Sequence, residues 1–144
     1  MKNKITLTFF LFIAIISVTA QEWHLDLNEA QKVASKKNQL IILVFQGSDW
    51  CAPCIKLDRE IWNTKEFIDY SKNNFVMLLA DFPRKKKNKL IDSQQQKNNQ
   101  LMEKYNLKGY FPYVVVLDKN LNVLGSTGYK KIRPSEYIKL LTSF

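Results

Sequence analysis

The two cysteines of the chain lie three positions apart, as Cys51 and Cys54. A polar turn at residues 46–49 precedes them, and Pro53 suits the first turn of a helix because that turn leaves N–H groups unpaired. The spacing therefore predicts Cys51 at a helix N-terminus, where the helix dipole stabilises a thiolate. Cys54 would follow on the buried face, within reach of a mixed disulfide formed on Cys51. This pattern predicts thiol–disulfide exchange, with a structural or vestigial pair as the alternative.

The cysteine and histidine content argues against two other uses of this pair. An exported domain stapled by disulfides normally carries four or more cysteines, and this chain has two. A closed zinc site needs four ligands, whereas His24, the single histidine, would bring the set to three. We therefore expect no metal and no cofactor, only a redox-active Cys51–Cys54 disulfide.

The first twenty residues have the pattern of a signal peptide. Lys2 and Lys4 precede an apolar stretch at residues 5–18, and small residues then lead to Ala20. That stretch is shorter than the roughly 20 residues of a membrane-spanning helix, so an uncleaved anchor is the weaker alternative. We predict a signal peptide over residues 1–20, one domain over residues 21–144, and export to the periplasm or the extracellular space.

The remainder of the chain alternates buried strands with amphipathic helices. Continuous or β-branched apolar runs predict strands at residues 40–45, 75–80, 113–117 and 122–126. Capping residues and prolines predict helices beginning at Asn28, Pro53, Asn63 and Pro134, and another helix ends near Tyr105. This order predicts an α/β fold in which helices flank a central mixed β-sheet.

The chain is basic, with a formal net charge of +9 that becomes +7 without Lys2 and Lys4. Residues 84–89, here called the basic loop, read Arg-Lys-Lys-Lys-Asn-Lys and are predicted to form a surface loop. The loop could be merely solvated, or it could dock an acidic partner or anionic lipid. Export and the lack of interleaved basic and aromatic residues argue against nucleic-acid binding.

Three segments together resemble the thioredoxin family. Residues 50–54 resemble its active-site motif, with Ala52 in place of the more usual glycine. Residues 104–112, followed by the strand at 113–117, are similar to the family's loop that carries a cis-proline, here Pro112. Residues 124–129 resemble a later strand and its glycine, Gly128. The resemblance covers residues 23–144 and is closest to small exported bacterial thioredoxin-like proteins.

The resemblance implies a thioredoxin fold and a thiol–disulfide oxidoreductase.

 It implies catalytic residues Cys51 and Cys54, a turn held by Ala52 and Pro53, and a substrate-binding surface formed by Trp50, Phe111 and Pro112. Phe111 would pair with the substrate through its backbone. The expected substrates are protein disulfides of the cell envelope. The protein is expected to be a monomer, and a membrane electron donor could return its disulfide to two thiols. The alternative is a thioredoxin-fold binding or chaperone module with secondary redox activity.

Two departures from the family concern the proton acceptor for Cys54. The family buries an acid six positions before the first cysteine, where this chain has Phe45, and its lysine partner has no charged match at residues 75–80. We therefore expect Phe45 to keep the region behind Cys54 dry and without a base. Three acids near the pair, Asp49, Asp58 and Glu60, are expected to be solvated surface charges. The sequence leaves the base, the redox potential and the clients open.

Overall fold

The computed structural model describes residues 20–144, so the predicted leader lies outside the described residues except for Ala20. Within this range, five α-helices and four strands follow one another as α1 (Leu27–Lys37), β1 (Leu40–Gln46), α2 (Ala52–Leu57), α3 (Lys65–Asn74), β2 (Phe75–Asp81), α4 (Asp92–Tyr105), β3 (Tyr113–Leu117), β4 (Val123–Thr127) and α5 (Pro134–Thr142). A π-helical segment, Asp58–Trp62, continues α2, and a short 3₁₀ turn, Lys86–Asn88, lies in the basic loop. None of the helices in residues 20–144 combines the length and apolarity that crossing a membrane requires.

The four strands form one mixed sheet in the order β2-β1-β3-β4. Strand β1 runs parallel to β2 and antiparallel to β3, and β4 continues the antiparallel part. His24 adds an isolated parallel bridge to Leu78 at the outer edge of β2. This arrangement confirms the predicted α/β fold with a central mixed sheet flanked by helices.

The position of β1 at the centre of the sheet explains its unbroken apolar run. Residues 41–45 are all fully buried, because helices cover both faces of the sheet. Successive side chains of a strand point to opposite faces, so the run divides into two sets. Ile42 and Val44 pack on the face covered by α2, α3 and α5, and Ile41, Leu43 and Phe45 pack on the face covered by α1 and α4.

Two predicted helix starts are wrong by one or two residues. Helix α1 is capped by Asp26 rather than Asn28, because the Asp26 carboxylate accepts from the backbone N–H groups of Asn28 (2.9 Å) and Glu29 (3.1 Å). Helix α3 is capped by Thr64 rather than Asn63, and its hydroxyl accepts from the Phe67 N–H at 3.3 Å. In each case a second residue that can cap a helix stands one or two positions away in the sequence, and the observed hydrogen bonds identify which of the two is the cap.

Candidate active site

The cysteine pair lies directly beyond the C-terminal end of the central strand β1. Cys51 is the N-cap of α2, and its sulfur accepts a hydrogen bond from the Cys54 N–H at 3.3 Å. The two residues form a disulfide with an S–S distance of 2.03 Å. Cys51 is 4% exposed and Cys54 is 2% exposed, so exposure hardly separates them. Their positions on the helix distinguish the two cysteines, because only Cys51 precedes the first turn, where backbone N–H groups point at its sulfur.

An aromatic rim, formed by Trp50, Phe82 and Phe111, stands beside the pair. The indole N–H of Trp50 donates to the Phe82 carbonyl at 2.7 Å, which fixes the ring. Gly47 leaves the space that this ring occupies, since a Cβ there would come within 2.2 Å of it. Phe111 meets Trp50 edge to face, with ring centroids 5.3 Å apart, and meets Phe82 at 5.6 Å. The rim therefore joins the residue before Cys51 to the residue before Pro112.

The loop that carries Pro112 is held by a buried amide that sequence reasoning missed. Asn106 is 2% exposed; its side chain donates to the Tyr110 carbonyl at 2.9 Å and accepts from the Tyr110 N–H at 3.0 Å. The Phe111–Pro112 peptide bond is cis. Gly128 lies close behind the loop, because a Cβ there would approach the Pro112 carbonyl oxygen to 3.3 Å. A polar residue directly after an amphipathic helix was the available sequence signal for Asn106.

Phe45 and Val44 lie on opposite faces of the sheet, and the expected part of Phe45 in keeping the region behind Cys54 dry stays a prediction. Phe45 packs on the opposite face of the sheet, with its ring 6.3 Å from that of Tyr113. Val44 instead packs with Leu57, which shares the buried side of α2 with Cys54. Counting six positions back from the first cysteine assumes a turn of fixed length, and one residue more or less reverses the face on which a strand side chain lies.

All three of the nearby acids accept hydrogen bonds, and the donors to Asp49 and Glu60 come from distant segments of the chain, so these acids are not merely solvated surface charges. Asp49 accepts from the backbone N–H groups of Arg84 (2.9 Å) and Lys85 (3.0 Å) and from the Asn88 amide (2.9 Å). The hydrogen bond from Arg84 is the largest cause that lowers the pKa of Asp49. Glu60 accepts from the Tyr129 hydroxyl at 2.6 Å, and this bond lowers the pKa of Glu60.

The third acid, Asp58, stands one helical turn beyond Cys54. Its backbone N–H donates to the Cys54 carbonyl, so the two residues have the i, i+4 relation of a helix. The side chain is half-buried and accepts from the Asn63 amide at 2.7 Å. Burial raises the pKa of Asp58, the opposite of what a solvated surface charge would give. The four-residue spacing from Cys54 was the sequence signal for this neighbour.

Side chains that commonly bind metals are dispersed in the described part of the chain. Within residues 20–144, no three side chains of the histidine, cysteine, aspartate or glutamate types come together as a cluster that could hold an ion. His24 lies at the outer edge of the sheet, where its backbone N–H donates to the Met77 carbonyl at 2.8 Å.

Comparison with known proteins identifies the same family along most of the chain. The family model of the thioredoxin-like domain matches residues 27–144. The disulfide bond reductase DsbH of Chlamydia pneumoniae is 32% identical over 115 residues, which cover 80% of this chain and 68% of that protein. The thioredoxin-related protein DsbJ of the same organism is 25% identical over 136 residues, 87% of this chain but 38% of DsbJ.

A solved structure of a DsbH oxidoreductase superposes with a TM-score of 0.79 at 27% identity, covering 99% of this chain and 93% of that one. The C-terminal domain of Neisseria meningitidis DsbD in its oxidised form shares the fold, with a TM-score of 0.57 at 14% identity over 81% of this chain and 90% of that one. The matches in sequence and in fold identify the same family, and this chain carries its Cys51–Cys54 disulfide at the start of α2. The chain belongs to the thioredoxin-like family and is a thiol–disulfide oxidoreductase.

Proposed function

We propose that this protein reduces disulfides of exported proteins in the cell envelope, with Cys51 as the attacking thiol and Cys54 as the resolving thiol. The observation that carries the assignment of roles is the hydrogen bond from the Cys54 N–H to the Cys51 sulfur at the N-cap of α2. A thiolate at that position receives an N–H and the positive end of the helix dipole. The reductive direction is supported by the similarity to a protein named as a disulfide bond reductase.

The reaction starts from the reduced pair. The Cys51 thiolate attacks one sulfur of the substrate disulfide, the substrate S–S bond breaks, and one substrate thiolate leaves and takes up a proton. Cys54 then loses its proton and attacks the Cys51 sulfur. The mixed disulfide breaks, the second substrate thiol departs, and the Cys51–Cys54 disulfide forms. Two electrons have passed from the protein to the substrate, and the pair itself is the redox group, without a cofactor.

The substrate chain is proposed to lie across the aromatic rim. Trp50 and Phe111 contact each other edge to face in the rim beside the pair. The backbone of Phe111, next to Pro112, offers hydrogen-bonding groups to an extended segment. Ala52 and Pro53 form the first turn of α2 and hold the spacing between the two sulfurs. A folded client must expose its disulfide on an extended or flexible segment to reach them.

The cycle also needs a donor that returns the Cys51–Cys54 disulfide to two thiols. A dithiol protein or a membrane electron donor supplies the two electrons by the reverse exchange. The predicted leader at residues 1–20 would deliver the protein to the periplasm or the extracellular space, where it acts as a monomer on protein disulfides. Nucleic acid has no part in this function.

Trapping of mixed disulfides tests the assignment. Cys54→Ser, expressed with its leader, should accumulate covalent adducts through Cys51 that disappear on reduction, because no second thiol remains to release the client. Cys51→Ser is the matched control and should trap few clients. Adducts that form equally well in Cys51→Ser would contradict the roles. If neither variant forms adducts while the wild-type protein still binds unfolded chains, the protein is a binding module instead.

A further inference from the structure

The basic loop is anchored to the active-site rim. The Asp49 carboxylate, two residues before Cys51, accepts three hydrogen bonds from the loop, two of them from the backbone of Arg84 and Lys85. The Arg84 guanidinium lies 3.7 Å from the ring centroid of Trp50, a stacking distance for a cation and an indole. The loop therefore has a defined position beside Cys51 instead of extending freely into solvent.

The charge that this anchoring holds in place is large and mostly uncompensated. The basic loop carries five cations in six residues, and all six residues are exposed. In the described part of the chain only Lys89 of these five forms an ion pair, at 3.6 Å from Asp92. Asp49 directs its oxygens to backbone N–H groups and an amide and forms no ion pair with a lysine in the described part of the chain, although the charge of Lys85 also lowers the pKa of Asp49.

The loop also has a concave surface that could receive an acidic side chain. A surface cavity of about 410 Å³ is lined by Pro83, Arg84, Lys85, Lys86, Lys89, Leu90 and Gln95. Four of these seven residues are cations. Like charges held close together repel one another and lower stability, so their fixed placement beside a reactive disulfide indicates an anionic partner.

We infer that the basic loop is a docking surface for an acidic segment of the protein substrate, next to the disulfide that is reduced. This inference rests on the proposed function and names the class of client that the same site prefers. A protein segment fits better than a lipid surface because Arg84 stacks on Trp50, at the rim that the substrate must cross. A flat anionic membrane bound to the loop would cover that rim, whereas an acidic segment bound there brings its neighbouring disulfide to Cys51.

The test compares three synthetic peptides of equal length, each closed by one disulfide and flanked by Glu, Gln or Lys residues. The pre-reduced protein is mixed with each peptide, and the second-order rate constant is measured from the loss of peptide disulfide. At low ionic strength the acidic peptide should react about 10-fold faster than the Gln peptide, and the Lys peptide should react slowest. In 0.5 M NaCl, where the Debye length is about 4 Å, the three rates should converge.

Two variants with the same change in charge locate the effect. Lys85, Lys86 and Lys87 are replaced together by Gln, which should reduce the acidic-to-Gln rate ratio to within about twofold of 1. The matched control replaces Lys32, Lys36 and Lys37 of α1 by Gln, and there the ratio should stay near 10. Equal ratios in the two triple variants would overturn the inference, because net charge alone would then explain the preference.

Two further measurements separate failure of the inference from failure of the proposed function. The neutral small disulfide bis(2-hydroxyethyl) disulfide reports the exchange chemistry without a charged segment, and no reaction with it would overturn the proposed function itself. A normal reaction with it, together with equal rates for the three peptides, would overturn only the acidic-segment inference. If the peptides react equally while vesicles of phosphatidylglycerol bind the wild-type protein and not the Lys85, Lys86 and Lys87 variant, the partner is a membrane and the inference is wrong.

Discussion

Replacing Asp58 by Asn tests whether this carboxylate takes the proton from Cys54 during resolution. The two residues are one helical turn apart, and side chains with that spacing have Cβ atoms about 5–6 Å apart. That separation lets a carboxylate reach the sulfur directly or through one water molecule. The burial that raises the pKa of Asp58 makes its carboxylate a better proton acceptor than an ordinary aspartate.

The expected loss follows from the exposure of Asp58. A positioned general base typically contributes about 10²- to 10⁴-fold to a rate. Because Asp58 is only half-buried, water can replace it in part, so we expect Asp58→Asn to slow resolution by about 10- to 100-fold at pH 7. The slowing should disappear at alkaline pH, where Cys54 ionises without help.

The assay is a single-turnover measurement with the reduced protein and a chromophoric disulfide. Quenching with acid at successive times and separating the products gives the decay of the mixed disulfide on Cys51. The matched control is Glu60→Gln, an acid two residues further along whose carboxylate is bonded to Tyr129, and it should resolve at the wild-type rate. Equal resolution rates at pH 7 for Asp58→Asn and the wild-type protein would refute the reasoning.

The same variant gives an independent readout in stability. A raised carboxyl pKa means that the folded state binds the proton more tightly than the unfolded state, so the contribution of Asp58 to stability falls as pH rises from the ordinary aspartate value through the raised one. Urea unfolding across this window should show that the slope of stability against pH is more negative in the wild-type protein than in Asp58→Asn. An unchanged slope would place the titration on another group.

Two further predictions concern the faces of β1 and the cap of α1. In the Asp58→Asn background, Val44→Asp should partly restore the resolution rate and Phe45→Asp should not, because only Val44 packs on the face that meets α2. The quenched single-turnover assay measures both rates. Restoration by Phe45→Asp would refute the assignment of faces. Asp26→Ala should lower the free energy of unfolding at pH 7 by about 1–2 kcal/mol through loss of the helix cap. The hydrogen bond from Lys97 is the largest cause that lowers the pKa of Asp26, so this contribution is present above the ordinary aspartate pKa and is lost as pH falls through the lowered value. Urea unfolding of both proteins at neutral and acidic pH checks this, and a difference of the same size at acidic pH would contradict it.

The sequence by itself determined the features that depend on neighbouring residues. The spacing of Cys51 and Cys54, with Pro53 between them, is sufficient to predict a helix start, because capping and the conformation of proline act over a few residues. The unbroken apolar run of β1 is sufficient to predict a strand covered on both faces. Strand β3 and the beginning of α5 at Pro134 are placed where the sequence predicts them.

Only the tertiary structure decided which distant groups surround the cysteine pair. Whether Val44 or Phe45 faces α2 depends on the length and path of the turn after β1, and a change of one residue there reverses the answer. The bond between Asp49 and the basic loop joins residues 35 positions apart, for which the local pattern contains no signal. The burial of Asp58 likewise depends on what packs around the end of α2. Local preferences therefore specify the elements and the reactive pair, whereas the surroundings that set proton transfer and substrate choice arise from packing between segments that are distant in the chain.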